Sequence, residues 1–238
     1  MEHQPKVTVI TVCRNNKDAL QETMRNVLAQ QYAPMEYIVV DGGSTDGTSQ
    51  LLEACQEERM KWVSEADGGI YDAMNKGSRM ACGDWVIFMN AGDTFADNQV
   101  LSRVFGSSHD GADVIYGDVI KGDSVKVAEA PHNAHRMYFC HQSALVRRPL
   151  LLQHPFDTKH RMSADFKLMK ILYLKGCRFV QLPFPIARFD TSGISNTSRS
   201  KGLWDNITVV CEVDSLADKI RLLPKLWFVY IMCRLRGK

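Results

Sequence analysis

A chain of 238 residues with 45% hydrophobic and 24% charged side chains has the makeup of an ordinary globular protein, long enough to bury a large core as one enlarged domain. The formal net charge of +2 gives no reason to expect nucleic acid as a partner, and the composition excludes disordered and fibrous classes. No run approaches the about 20 apolar residues of a bilayer span, and the polar stretch from Met1 to Lys6 leads straight into a strand-like run, unlike a secretory signal, so a cytoplasmic chain is expected.

Val7 to Val12 is rich in β-branched residues and reads as a buried strand. Asn15, Asn16 and Asp18 offer capping groups to the next helix, where Ala19, Leu20, Thr23, Met24, Val27 and Leu28 repeat every three to four residues. Tyr37 to Val40 is a second strand, ending at Asp41-Gly42-Gly43-Ser44-Thr45-Asp46-Gly47-Thr48, and Leu51, Leu52 and Cys55 begin another helical stripe. Met60 to Ser64 reads as a third strand. Ile70, Ala73, Met74, Gly77 and Ala81 define a helix packed through small residues, and Trp85 to Met89 is a fourth strand terminating at Asn90-Ala91-Gly92-Asp93. Strands alternating with helices need crossovers, hence a largely parallel sheet with helices on both faces and a ligand crevice at the carboxyl ends of its strands. Asp41, Asp67 and Asp93 fall at or just beyond those ends.

Val114 to Lys121 and Ser124 to Ala130 look like a hairpin around Gly122-Asp123. Ala164 to Leu174 reads as a helix, Arg178 to Leu182 as a strand that Pro183 and Pro185 limit, and Asp190 to Ser200 as a mobile loop. The seven cysteines are widely spaced without a CxxC pair, which favours reduced, buried thiols.

In the Asp41 to Thr48 stretch, Gly42, Gly43 and Gly47 let the backbone approach a ligand closely, and the Asp41 carboxylate suits a ligand amide or hydroxyl. The same stretch serves equally as a tight turn in which Ser44 or Thr45 caps the next helix. The first strand is followed by Cys13-Arg14-Asn15 in place of a glycine fingerprint, and no phosphate loop ends in Gly-Lys-Ser/Thr, which argues against a dehydrogenase or a nucleotide-hydrolysing motor. Asp93 suits Mg²⁺ or Mn²⁺ with Asn90 as a weaker oxygen, since a hard ion with few protein ligands fills its shell with water and substrate phosphates; capping the next turn is its plainer use. Asp165 is the best candidate for a general base, against the plainer reading of a carboxylate favoured at a helix start. His141 could address a hydroxyl or phosphate or make a structural hydrogen bond, and His132 and His135 lack the partners for a zinc site.

From Lys219 onward, Lys219, Arg221, Lys225, Arg234, Arg236 and Lys238 surround the apolar run Trp227 to Cys233 and no acid occurs. Such a segment suits an anionic membrane surface, with packing against the core as the competing use. The expected division is therefore a catalytic domain at 1–200 and a helical, basic and apolar segment at 201–238.

Four stretches together carry a resemblance: Thr11 to Asn15, Val39 to Thr48, Ser64 to Gly77 and Asn90 to Asp93 resemble the family-2 glycosyltransferases of the GT-A fold, over roughly residues 5 to 200. The Ser64 to Gly77 stretch looks especially like the colanic-acid-type branch of bacterial polysaccharide transferases. The resemblance implies a mixed, mostly parallel α/β sheet and inverting transfer from a UDP- or GDP-sugar to a saccharide or polyprenyl-diphosphate-linked glycan at the inner membrane face. It implies that Asp41 contacts the nucleotide base, that Asp67 helps hold the nucleoside, that Asp93 binds Mg²⁺ or Mn²⁺ on the diphosphate, and that Asp165 is the catalytic base. Thr11, Asn75, Lys76, Asn90 and His141 join the donor-site set, His141-Gln142-Ser143 resembles the acceptor-side element, and Ser192-Gly193-Ile194-Ser195 looks like the donor-closing loop. Asn90 stands where many relatives carry an aspartate, and Ala164 where an acid is common. The alternatives are a nucleotidyltransferase acting on sugar phosphates and a non-catalytic nucleotide-sugar-binding assembly protein; oligomerisation is compatible with each.

Overall fold

The computed structural model describes residues 4–191 and 199–236. The first half alternates as expected: β1 (Val7–Cys13), α1 (Lys17–Leu28), β2 (Met35–Asp41), α2 (Thr48–Glu53), β3 (Met60–Ser64), α3 (Ile70–Met80) and β4 (Trp85–Phe88). There follow β5 (Thr94–Phe95), α4 (Val100–Val104), β6 (Val114–Lys121), β7 (Ser124–Lys126), a 3-10 turn at His141–Ser143, β8 (Ala144–Arg147), α5 (Arg148–Gln153), α6 (Ala164–Leu174), β9 (Phe179–Phe189), α7 (Arg199–Val213) and α8 (Leu216–Leu235). Among the described residues the strands form one mixed sheet in the order β3-β2-β1-β4-β8-β6-β9-β5, with β7 paired to β6. The longest registers are parallel, β1 with β2 and β6 with β9, while β8 enters antiparallel between β4 and β6.

Strand side chains alternate between the two faces, and both faces are buried. Val7, Val9, Tyr37, Val39, Trp85 and Ile87 pack with Leu20, Met24 and Val27 of α1 and Leu101 of α4. Ile10, Val12, Ile38, Val40, Val86 and Phe88 pack on the opposite side with Tyr71 and Met74 of α3 and Leu168, Met169 and Leu172 of α6. Each core carries enough apolar area that a large-to-alanine change inside it is expected to cost about 2–5 kcal/mol.

Several local expectations are corrected. No side chain caps α1 at Asn16; the Lys17 N–H donates to Asp46 Oδ2 at 2.9 Å. Asp46, not Ser44 or Thr45, also accepts from the Thr48 N–H at the start of α2. β9 does not stop at the prolines but runs through them, because its register against β6 shifts between Tyr116 and Val119, where Asp118 pairs with Pro185 and two ladder hydrogen bonds are dispensable. Of the cysteines, Cys82 and Cys211 are exposed, against the expectation of buried thiols.

α7 and α8 pack on the α6 side of the core through Phe166, Ile207, Val210, Leu222 and Leu226. A buried ion pair, Lys170 Nζ to Asp214 at 2.8 Å, ties α6 to the end of α7. Removing one partner of such a pair typically costs about 3–5 kcal/mol, because the other charge is left without compensation. No helix among the described residues is long and apolar enough to cross a membrane.

Candidate active site

The parallel strands end along one edge, and the loops beyond them carry most of the predicted residues. Asp41 closes β2 and is fully buried; its carboxylate accepts from the Ser44 N–H at 3.0 Å, from the Ser64 hydroxyl at 2.6 Å and from the Ser44 hydroxyl. Asn15, at φ +49°, stitches the loop after β1 to this turn, donating its N–H to Ser44 Oγ at 2.7 Å and accepting from the Thr45 N–H at 2.8 Å. Asp67 comes over the same turn and accepts from the Gly69 N–H at 2.9 Å. A Cβ on Gly42 would collide with the Asp67 carboxylate where it now stands, so glycine is what lets Asp67 come this close.

Beyond β4 the chain turns at Asn90–Asp93. Thr23 of α1 fixes this turn, its hydroxyl accepting from the Gly92 N–H at 2.9 Å and donating to the Asp93 carbonyl at 2.8 Å. Gly92 has φ +100°, and a Cβ there would collide with the Asp190 carboxylate. Asp190 arrives because β5 and β9 pair antiparallel, Thr94 opposite Arg188; its N–H donates to Asp93 Oδ1 at 2.8 Å. Asp93 is 4% exposed, and burial pushes its carboxyl up to about 6; the Asp190 N–H, His141 and Gln142 pull against that rise, and the Asp190 charge adds to it.

Asp165, in the first turn of α6, accepts from the Tyr71 hydroxyl at 2.8 Å and from His141 Nδ1 at 3.1 Å. Burial alone would raise its pKa, but the His141 hydrogen bond and charge, with Tyr71 and the Phe166 N–H, hold it below the usual carboxylate range. For His141, burial opposes the charged ring, yet the Asp165 hydrogen bond and the charges of Asp165 and Asp93 raise its pKa overall. The other ring nitrogen, Nε2, lies 3.4 Å from Asn90 Nδ2. Successive residues of the 3-10 turn thus face the two carboxylates: His141 meets Asp165, and Gln142 stands beside Asp93, whose pKa it lowers.

The residues suit a hard divalent ion. Asn90 Oδ1 is a buried oxygen without a hydrogen-bond partner among the described residues, the Asp93 carboxylate lies on the same turn, and the Asp190 carboxylate comes against that turn from the end of β9, an all-oxygen donor set. Asp157, His160 and Glu212 form another cluster with metal-like spacing, but the Lys167 ammonium, 2.6 Å from Asp157 and also bonded to Glu212, already supplies its cation.

Three predicted donor-site residues are occupied elsewhere. The Thr11 hydroxyl donates to the Met89 carbonyl at 2.6 Å and accepts from Tyr37 at 2.9 Å, inside the sheet. The Asn75 amide brackets the Phe156 backbone with two bonds of 2.8 Å, and Lys76 pairs with Glu65 at 2.7 Å. The segment Ser192 to Ser195 lies outside the described residues. Sequence reasoning assigned no role to Tyr71 or Asp190, and took Gln142 only as part of the acceptor-side element with His141 and Ser143. Tyr71 sits inside the Ser64 to Gly77 stretch and Gln142 beside His141, so both had a signal, whereas Asp190 is tied to Asp93 only by strand pairing across 97 positions.

Residues 8–175 match the family described as Glycosyl transferase family 2. An uncharacterized glycosyltransferase of Mycobacterium tuberculosis is 42% identical over 104 residues, which are 43% of this chain and 40% of that relative. A PGL/p-HBAD biosynthesis glycosyltransferase of Mycobacterium bovis is 31% identical over 172 residues, covering 68% of this chain and 67% of the relative. In fold, the chain is similar to residues 1–349 of TarS from S. aureus in complex with UDP, with a TM-score of 0.68 at 17% identity over 93% of this chain and 70% of TarS 1–349. It is also similar to the mannosyltransferase PcManGT from Pyrobaculum calidifontis in complex with GDP-Man and Mn²⁺, with a TM-score of 0.66 at 19% identity over 89% of this chain and 64% of that one.

Proposed function

Because this chain belongs to glycosyl transferase family 2, we propose that it transfers a sugar from a UDP- or GDP-linked donor to a hydroxyl of a saccharide or polyprenyl-diphosphate-linked glycan, with inversion at the anomeric carbon. The observation that carries this reading is the pair of carboxylates, buried Asp93 and part-buried Asp165, gathered at the turn His141–Gln142. Asp165 takes the proton of the acceptor hydroxyl as its oxygen bonds to the anomeric carbon, and the bond from that carbon to the donor diphosphate breaks on the opposite side. Its depressed pKa keeps it ionised at neutral pH, while Tyr71 and His141 fix its orientation. Asn90, Asp93 and Asp190 would hold Mg²⁺ or Mn²⁺, an ion that when bound offsets the charge of the departing diphosphate.

Asp41 and Asp67, at the edge of β2, address the nucleoside, with Arg14 beside Gly42. Thr11, Asn75 and Lys76 act on the donor through the shape of the edge they brace. Residues 1–200 form the catalytic unit, and 201–238 bring it to the cytoplasmic face of an anionic membrane, in the synthesis of a bacterial surface polysaccharide or glycolipid. The GT-A fold is found with both UDP and GDP-Man, which supports either nucleotide.

A mass-spectrometric screen with UDP- and GDP-sugars against bacterial lipid extracts tests the reading. One donor should give a lipid product heavier by a single glycosyl residue; donors left intact in every combination would count against transfer.

A further inference from the structure

We propose that a basic pocket between residues 159–162, α7 and α8 binds the phosphate or diphosphate head of a lipid-linked acceptor. This deepens the transfer reading above and rests on it. The pocket holds about 450 Å³ and is lined by the cations Lys159, Arg161, Lys201 and Arg234 and the aromatic rings of Trp204 and Tyr230. Its single acid is already engaged: Asp205 takes His160 Nδ1 at 2.7 Å and the Met162 N–H at 2.9 Å. Among the described residues none of the four cations has an ion-pair partner. Four like charges converging on one concavity repel one another and favour an anion between them.

The surroundings say what kind of anion. Trp204, Trp227 and Tyr230 make a contiguous aromatic wall, with ring centroids 5.7 to 5.9 Å apart. On α8, Leu222, Leu226 and Cys233 face the core, while Leu216, Ile220, Phe228, Ile231 and Leu235 form an exposed apolar stripe on the opposite side. Arg234 of the pocket lies at the edge of that stripe, in line with Leu216 along the helix, so the cationic concavity borders an apolar track. A ligand with a phosphate head and a hydrocarbon chain satisfies both, whereas a free nucleotide satisfies only the first. The pocket also adjoins the segment that leads into Asp165: Asp205 pins Met162, three residues before it.

Farnesyl diphosphate is a soluble probe of this chemistry. Calorimetric titration of the full chain should show it binding at least tenfold more tightly than farnesol or inorganic pyrophosphate. The triple variant Arg161→Gln, Lys201→Gln, Arg234→Gln, confirmed as folded by its thermal transition, should lose at least tenfold of that affinity. A nucleotide-sugar titration within twofold in both proteins is expected, which separates a failure here from a failure of the donor reading. Equal binding of farnesyl diphosphate by the two proteins, or equal binding of farnesol and its diphosphate, would overturn the proposal. So would a variant that loses phosphatidylglycerol vesicles yet keeps farnesyl diphosphate, since the pocket would then serve bulk membrane headgroups.

Discussion

Asp93 and Asp165 are two similarly enclosed carboxylates at one short turn, and their surroundings drive them in opposite directions. Around Asp93 burial prevails and a second carboxylate, Asp190, stands beside it, so its pKa climbs to about 6. Around Asp165 burial acts in the same sense, but a hydroxyl and an imidazole donate directly to its oxygens and prevail. Enclosure alone therefore does not set the charge state; the supply of donors does. The donor-rich carboxylate suits proton acceptance near neutrality, and the donor-poor one suits a cation.

The comparison breaks most sharply at Asp165. Asp165→Asn should lower transfer by about 10³-fold, within the range for loss of a general base, while donor affinity measured by nucleotide-sugar titration stays within about twofold. Turnover close to that of the unaltered protein would remove Asp165 from the proton-accepting role. Asp93→Asn should reduce turnover by about 10²-fold through weaker leaving-group stabilisation, with the opposite effect on stability. The folded pKa of Asp93 stands above its ordinary value of 3.8, so between about 4 and 6 the folded chain binds more protons than the unfolded one and loses stability as pH rises. In metal-free buffer at pH 8 the variant should therefore be more stable by about 1–3 kcal/mol, a gain that disappears below about pH 4. Denaturant melts at the two pH values check the sign.

The smallest change sharpens the contrast. Tyr71 donates to the ionised form of Asp165, so Tyr71→Phe removes one influence that lowers its pKa. The acid limb of the turnover profile should move to higher pH, with a maximal rate about tenfold lower. An unmoved limb would show that Tyr71 only fills space.

The turn beyond β2 was largely legible because it is local in sequence. Asp41, Ser44, Thr45 and Asp46 lie in one turn, and glycine spacing and strand periodicity disclose such a turn. The cluster around Asp165 joins Tyr71, His141 and Asp165, whose separations of up to 94 positions leave no periodic trace. Asp190 was hidden for a related reason: β5 is two residues long, and β9 continues through two prolines that ordinarily end a strand. Thr11 and Asn75 show the converse. Their sequence context resembles a binding motif, yet buried polar groups need partners, and the neighbouring backbone and Tyr37 supply them.

The 3-10 turn works as a caliper. Adjacent Cα atoms across a trans peptide are about 3.8 Å apart, and here one such step separates His141, bonded to Asp165, from Gln142, beside Asp93. Under the proposed transfer, the gap between attacking oxygen and departing phosphate would be gauged by that single covalent link. Substrate range can therefore drift through the outer walls, while one residue inserted between His141 and Gln142 would mis-set the gap for every substrate alike.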